Sequence, residues 1–312
     1  MKIVFLDAKT IGEDIDLSMF DALGTVVKYG FSNKKEALER TQDADVVIVN
    51  KVEINKDTIG KASHLKLVCV TATGTNNLDK EYLAQMGIEW RNVAGYSTES
   101  VAQHTFAMLF YLMEKLRYYD DYVKSEQYVG DVMFTHFSNV FHELSGKTWG
   151  IVGLGNIGRR VAEIAKLFGC RVIYYSTSGK NNNPEYERVD FDALVAQADI
   201  VSVHAPLNEN TQGLMNYAAF SKMKPNAIFL NLGRGPIVVE EDLADALNVG
   251  MIAAAGLDVL SVEPMQENNP LRLIKDSEKL LITPHIAWAS VEARTRLMAI
   301  ICDQIKSFYG IE

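Results

Sequence analysis

The stretch Thr148-Trp149-Gly150-Ile151-Val152-Gly153-Leu154-Gly155-Asn156-Ile157-Gly158 decides the fold of this chain. Residues 148–152 form a short, mainly apolar run of the kind that becomes a buried strand. A G-x-G-x-x-G turn follows at 153–158. Beyond it, Ile157, Val161, Ile164 and Phe168 recur at spacings of 4, 3 and 4 residues, a helical period. A glycine turn alone is weak evidence, but set between a strand and a helix it predicts a dinucleotide site. Gly153 permits the tight turn, Gly155 lets the backbone approach a pyrophosphate, and Gly158 lets helix and strand pack closely. Backbone N–H groups at the helix start, around Asn156 and Ile157, are placed to bind phosphate.

Residues 171–175, 200–204, 227–231, 253–258 and 280–283 read as further strands, six in all, with helical patterns between most of them. Such a series predicts a doubly wound nucleotide fold. The N-terminal part repeats this logic. Residues 3–6, 46–49 and 67–70 read as buried strands, 25–27 and 88–90 as weaker ones, and 34–41 and 78–86 as helices. Residues 101–115 read as one long buried helix, with Ser100 and Gln103 resembling a capping box. The aromatic segment 118–141 shows no clear period; it reads as a docking surface or as packing on its own domain. Residues 291–309 read as a helix returning to the first domain. The predicted class is α/β with two doubly wound parallel-sheet domains. A dinucleotide-binding Rossmann domain at 98–286 is inserted in a flavodoxin-like, substrate-binding domain made of 1–97 and 287–312.

The 312 residues carry a formal net charge of −9, which disfavours binding to nucleic acid or to an anionic membrane. Cys69, Cys170 and Cys302 lie far apart without metal-ligand spacing, so they read as reduced, buried thiols. The first residues meet Asp7 too soon for a signal peptide, and no apolar run approaches the ~18 residues of a membrane span. A cytoplasmic location, with no metal site, is the expectation.

The strand at 171–175 leads into Ser176-Thr177-Ser178-Gly179-Lys180, where an NAD site usually carries Asp or Glu for the ribose hydroxyls. No carboxylate stands there to repel a 2′-phosphate. Ser176, Thr177 and Lys180 favour NADP, or use of both cofactors, over NAD alone. Three further segments follow successive strands. Asn231-Leu232-Gly233-Arg234-Gly235-Pro236 holds an arginine between glycines, suited to bidentate capture of a carboxylate. Gly256-Leu257-Asp258-Val259 leads to Glu263-Pro264, and Thr283-Pro284-His285-Ile286 presents a histidine after a proline. Each is bland alone: a surface ion pair, a loop glutamate, a structural histidine. Together they supply an anion clamp, a proton donor near neutral pH and a carboxylate to orient it, as carbonyl reduction requires. His64, His136 and His142 show no partner pattern, and His104 reads as packing or interfacial. Trp288 reads equally as a pocket wall or as part of a hinge.

With these motifs the chain resembles the D-isomer-specific 2-hydroxyacid dehydrogenases. The resemblance runs through Gly146-Lys147-Thr148, the glycine turn, His204-Ala205-Pro206-Leu207, 231–235, 256–264 and Pro284-His285. Residues 96–105 and 71–77 look most like glycerate dehydrogenases, also called hydroxypyruvate reductases. The resemblance implies that Arg234 grips the substrate carboxylate, that His285 exchanges a proton with the C2 oxygen, and that Glu263 orients the imidazole. It implies substrate contacts from Ala72, Thr73 and Gly74. It also implies cofactor contacts from Val101, His204, Ala205, Pro206, Thr211, Leu232 and Gly233, with Asp258 near the nicotinamide carboxamide. A homodimer is implied too. Ser176 departs from the Asp that many members carry.

Hydroxypyruvate/D-glycerate or glyoxylate is the expected substrate pair, with a branched or larger 2-oxo acid as the alternative. An NAD(H)-sensing, corepressor-like binding protein is the reading from a different class.

Overall fold

The computed structural model describes residues 1–311, and its apolar runs form a five-stranded and a seven-stranded sheet. The chain makes two compact units, Met1–Ser97 with Ala289–Glu312, and Thr98–Trp288. The first contains β1 (Lys2–Phe5), β2 (Thr25–Lys28), α1 (Lys34–Arg40), β3 (Val46–Val49), α2 (Lys56–Ile59), β4 (Leu67–Val70), α3 (Lys80–Gln85) and β5 (Glu89–Arg91). Its strands pair in parallel in the order β2-β1-β3-β4-β5, the flavodoxin-like arrangement. Alternate residues Val4, Val47, Val49, Val68 and Val70 face Ala37, Ile59 and Leu83 of the three helices in one core. Asn33 caps α1 with a reciprocal bond to Glu36, the expected start signal for so short a helix.

The second unit opens with α4 (Thr98–Met113) and α5 (Leu116–Lys124). Then come β6 (Thr148–Val152), α6 (Asn156–Leu167), β7 (Arg171–Tyr175), β8 (Glu187–Arg188), α7 (Phe191–Gln197), β9 (Ile200–Val203), α8 (Tyr217–Lys222), β10 (Ile228–Asn231), α9 (Glu240–Val249), β11 (Ala254–Leu257) and β12 (Leu280–Ile282). All pair in parallel, in the order β12-β11-β10-β9-β6-β7-β8. Counted within the unit this is 3-2-1-4-5-6 with one strand added, the doubly wound nucleotide order. Neighbouring residues alternate between two cores. Ile151, Tyr174 and Leu230 pack with α4 and α6, whereas Val152, Ile173 and Phe229 pack with α7, α8 and α9. The sheet is therefore covered on both faces, which is why its strands read as continuous apolar runs.

Three expectations need correction. The sheet has seven strands rather than six, because β8 has only two residues, both charged and exposed, and carries no apolar signal. Ser100 does not cap the long helix: α4 starts at Thr98, and the Ser100 hydroxyl donates to the carbonyl of Ala287 at 2.6 Å. The aromatic segment begins as a helix, α5, with no buried residue. Beyond it, Tyr122 and His136 stack with ring centroids 3.8 Å apart, so His136 has partners after all. Helix α10 (Val291–Tyr309) needs none: it belongs to the first unit, where Arg294 pairs with Asp14 at 2.6 Å and Gln304 accepts a bond from Arg91.

Candidate active site

Because every strand of the seven-stranded sheet is parallel, the turns that follow them all leave from one edge. Strand order reverses between β6 and β9, and the glycine turn and the 204–211 loop flank that point. Gly153 holds φ at 92°, and a Cβ there would lie 2.9 Å from the Cα of Ala205. A Cβ on Gly158 would run into the Gly153 carbonyl oxygen. At Gly155, by contrast, nothing lies within 4 Å of the missing Cβ. Gly155 caps α6 without a side chain, and the first helical turn has no acidic residue. The free N–H groups there meet open space and a positive dipole end. This cradle fits a dinucleotide pyrophosphate.

The turn after β7 is built by hydrogen bonds. Ser176 is buried, and its hydroxyl accepts the Asn181 N–H at 3.2 Å. The Asn181 side chain donates to the carbonyl of Leu154 at 2.5 Å, tying this turn to the glycine turn. Thr177 is half-buried and Lys180 exposed. On the other side of the crevice, His204 bonds through Nε2 to Ser202 Oγ at 3.1 Å. Its Nδ1 is covered from solvent and has no partner among the described residues, and burial pushes the ring down to about 3. Thr211 is fully buried, and its hydroxyl closes the loop on Pro206 and Asn208 rather than facing outward. Ala205, Leu232 and Val101 are buried as well, while Pro206 is exposed.

β10, β11 and β12 are consecutive neighbours. At about 4.8 Å between strands, the loops bearing Arg234, Asp258 with Glu263, and His285 begin within about 10 Å of one another. Asn231, at the end of β10, is fully buried. Its side chain accepts the Gly233 N–H at 3.1 Å and donates to the Arg234 carbonyl at 3.0 Å. The half-buried Arg234 guanidinium donates to the Gly233 carbonyl at 2.8 Å, its one bond among the described residues, which leaves its other donors for a ligand. Any side chain at Gly235 would collide with the Leu260 backbone, so the Arg234 loop packs directly on the loop that leads to Glu263. That second loop is braced by buried Glu240, which accepts the Ser261 N–H at 2.7 Å.

Glu263 and His285 are in contact: Oε2 lies 2.7 Å from Nδ1, both side chains about one-third exposed at 31% and 28%. His285 has φ of 55°, in the left-handed region that side chains enter rarely and at a cost of about 1–3 kcal/mol. The Trp288 indole holds the His285 carbonyl at 2.8 Å. Asp258, expected beside a carboxamide, is 2% exposed and uses its carboxylate inside the protein. Oδ1 accepts from Thr283 Oγ1 and the Ile286 N–H, and Oδ2 from the Ala287 N–H. Ala72, Thr73 and Gly74 belong to the other unit, after β4, where Asn92 and Val93 hold Thr73.

Sequence reasoning missed Asn231, Asn181, Glu240 and Thr283 as supports. For Asn231 and Thr283 the available signal was a polar residue at a strand end, within the motifs already singled out; Asn181, in a loop, and Glu240, at the start of α9, carried no such signal. No cluster of His, Cys, Asp and Glu able to hold a metal exists among the described residues. No helix among them is long and apolar enough to cross a membrane.

Comparison with known proteins points to one family. Residues 106–287 match the model described as D-isomer specific 2-hydroxyacid dehydrogenase, NAD binding domain. A hydroxypyruvate reductase of Blautia hydrogenotrophica is 36% identical over 316 residues, 99% of this chain and 97% of that protein. An acyclic imino acid reductase solved with NADPH and D-Arg superposes with a TM-score of 0.87 at 30% identity, covering 99% of this chain and 97% of the other. A D-lactate dehydrogenase from Aquifex aeolicus, solved with NAD and lactic acid, gives 0.85 at 25% identity, with 99% and 95% covered. On the strength of the two-sheet fold, the glycine turn, the paired Glu263 and His285 and these matches, the chain belongs to the D-isomer specific 2-hydroxyacid dehydrogenase family.

Proposed function

We propose that this protein reduces a small 2-oxo acid to the 2-hydroxy acid, and catalyses the reverse oxidation, with NADP(H) or NAD(H). Hydroxypyruvate/D-glycerate or glyoxylate is the preferred substrate, and a branched or larger 2-oxo acid is the alternative. The observation that carries this reading is the Glu263–His285 pair beside the Arg234 loop, on the same sheet edge as the glycine turn. A nicotinamide cofactor, when bound, supplies the hydride to C2 or takes it back. Arg234 binds the substrate carboxylate with its free guanidinium donors. His285 donates the proton from Nε2 to the C2 oxygen, so each turnover consumes one 2-oxo acid, one reduced cofactor and one proton. Glu263 holds Nδ1 and stabilises the imidazolium.

The absence of a carboxylate at the end of β7, with Lys180 exposed there, supports NADP or dual use. Ser176→Asp is expected to shift preference toward NAD. A homodimer is part of the same reading, supported by the exposed apolar side chains Val132, Phe134, Phe137 and Val140; sedimentation as a monomer removes it.

The deciding experiment is a panel of 2-oxo acids against NADPH and NADH, with Arg234→Ala and His285→Ala as controls. Loss of roughly 10²–10⁴-fold in turnover for His285→Ala is expected of a general acid. Cofactor binding without turnover on any 2-oxo acid would instead identify a sensor.

A further inference from the structure

One histidine outside the roles just proposed faces the loop that carries His285. His104, in α4, places Nε2 3.0 Å from Thr283 Oγ1 and 3.7 Å from Asp258 Oδ1. Thr283 Oγ1 donates to Asp258 Oδ1 at 2.6 Å. A hydroxyl has a single proton, and that proton is committed to the carboxylate. Toward His104, therefore, Thr283 is an acceptor, and His104 carries its proton on Nε2. The result is a directed chain from imidazole N–H to hydroxyl to carboxylate, in which each bond polarises the next.

This chain ends where His285 is held. Besides Thr283, the Asp258 carboxylate accepts the N–H groups of Ile286 and Ala287, each at 2.9 Å. The His285 N–H is shared between the carbonyls of Asp258 at 2.8 Å and Thr283 at 2.9 Å. Residues on both sides of His285, and its own amide, are thus fixed by Asp258 and Thr283. A left-handed backbone at a histidine persists only where its surroundings over-determine it, and these bonds are those surroundings.

We propose that His104 is a positioning residue for this enzyme. Through its Nε2–H and the Thr283 hydroxyl, it locks the Asp258 carboxylate and with it the 283–287 segment. That arrangement keeps the His285 ring on Glu263 and leaves Nε2 of His285 for the substrate. The inference rests on the reading of His285 as proton donor.

The test uses the full-length protein, saturating reduced cofactor and hydroxypyruvate, with a thermal melt of every variant. His104→Ala is expected to lower kcat about tenfold with KM changed less than about threefold, the size of one lost hydrogen bond. His104→Gln, whose amide N–H reaches a similar position, is expected to restore kcat to within about threefold. Thr283→Val is expected to match His104→Ala or exceed it, while Thr283→Ser keeps turnover. The His104→Ala/Thr283→Val double variant is expected to be no worse than Thr283→Val alone, because the two act in one chain. Wild-type kcat in a folded His104→Ala, a melting shift without a kinetic one, or losses that multiply in the double variant overturns the proposal. Should His104→Ala fail to fold, the contrast between Thr283→Val and Thr283→Ser decides. His285→Ala separates the two readings: if it stays active, the proposed function falls, and if it is inactive while His104→Ala is normal, only this inference falls.

Discussion

The side-chain amide of Asn231 donates to the carbonyl oxygen of Arg234, 3.0 Å away, while its own oxygen accepts the Gly233 N–H at 3.1 Å. One buried amide therefore sets the backbone on both sides of the residue proposed to grip the substrate. Asn231→Ala orphans the buried Gly233 N–H and leaves the Arg234 carbonyl with its bond from the Ile237 N–H alone, at a cost of about 1–3 kcal/mol. A urea titration is expected to show that loss, and kcat/KM for the 2-oxo acid is expected to fall at least about tenfold through KM. Unchanged kinetics in the folded variant would detach Asn231 from the Arg234 loop.

Glu263 is itself oriented: its Oε1 accepts the Leu260 N–H at 3.0 Å, which leaves Oε2 for His285 Nδ1. Glu263→Gln keeps the shape and removes the charge that stabilises the imidazolium. Turnover is expected to drop about tenfold or more with little change in KM, since the loss falls on proton transfer rather than on carboxylate binding. A variant with normal kcat leaves the pair without a role in the chemistry.

Gly155 and Gly158 are expected to fail differently. At Gly155 a methyl group enters open space, and the backbone, with φ −80°, accepts it. Gly155→Ala should melt like the wild type yet bind NADPH and NADH more weakly, as a fluorescence titration can read. At Gly158 the methyl meets the Gly153 carbonyl and, at 3.2 Å, Ile151 Cγ2, so Gly158→Ala should lose about 1–3 kcal/mol of stability. The reverse pattern would mean that the glycines serve other ends.

His204, half-buried with its Nδ1 covered from solvent, predicts an acid limb in stability. Folding pushes its pKa from 6.5 to about 3, because burial disfavours the charged ring. Between those values the unfolded chain binds the proton and the folded one does not, so stability falls as pH falls through that window. The slope is at most about 1.4 kcal/mol per pH unit for one proton. His204→Gln should lose less melting temperature between pH 7 and pH 5 than the wild type. Parallel curves for the two proteins would contradict the assignment.

Strands β3, β4, β6 and β7 and helix α10 were legible to the residue, because a strand buried on both faces is a continuous apolar run and a helix repeats at its own period. β8 was not, since two exposed charged residues pair only because β7 lies beside them. The site divides the same way. Gly153, Gly155, Gly158, Arg234, Glu263 and His285 stood out because a turn, a cation in a bare loop or a histidine after proline is a local feature of chain chemistry.

What the sequence determined by itself was the inventory: two βαβ series, a phosphate-binding turn, and a guanidinium, a carboxylate and an imidazole at strand ends. Only the tertiary structure decided that Glu263 touches His285, that Asp258 spends its carboxylate on the 283–287 segment, and that His104 joins that network. Hydrogen bonds between residues 22 to 179 positions apart depend on strand order and parallel register, and no local pattern in a single chain encodes which distant donor will meet which acceptor.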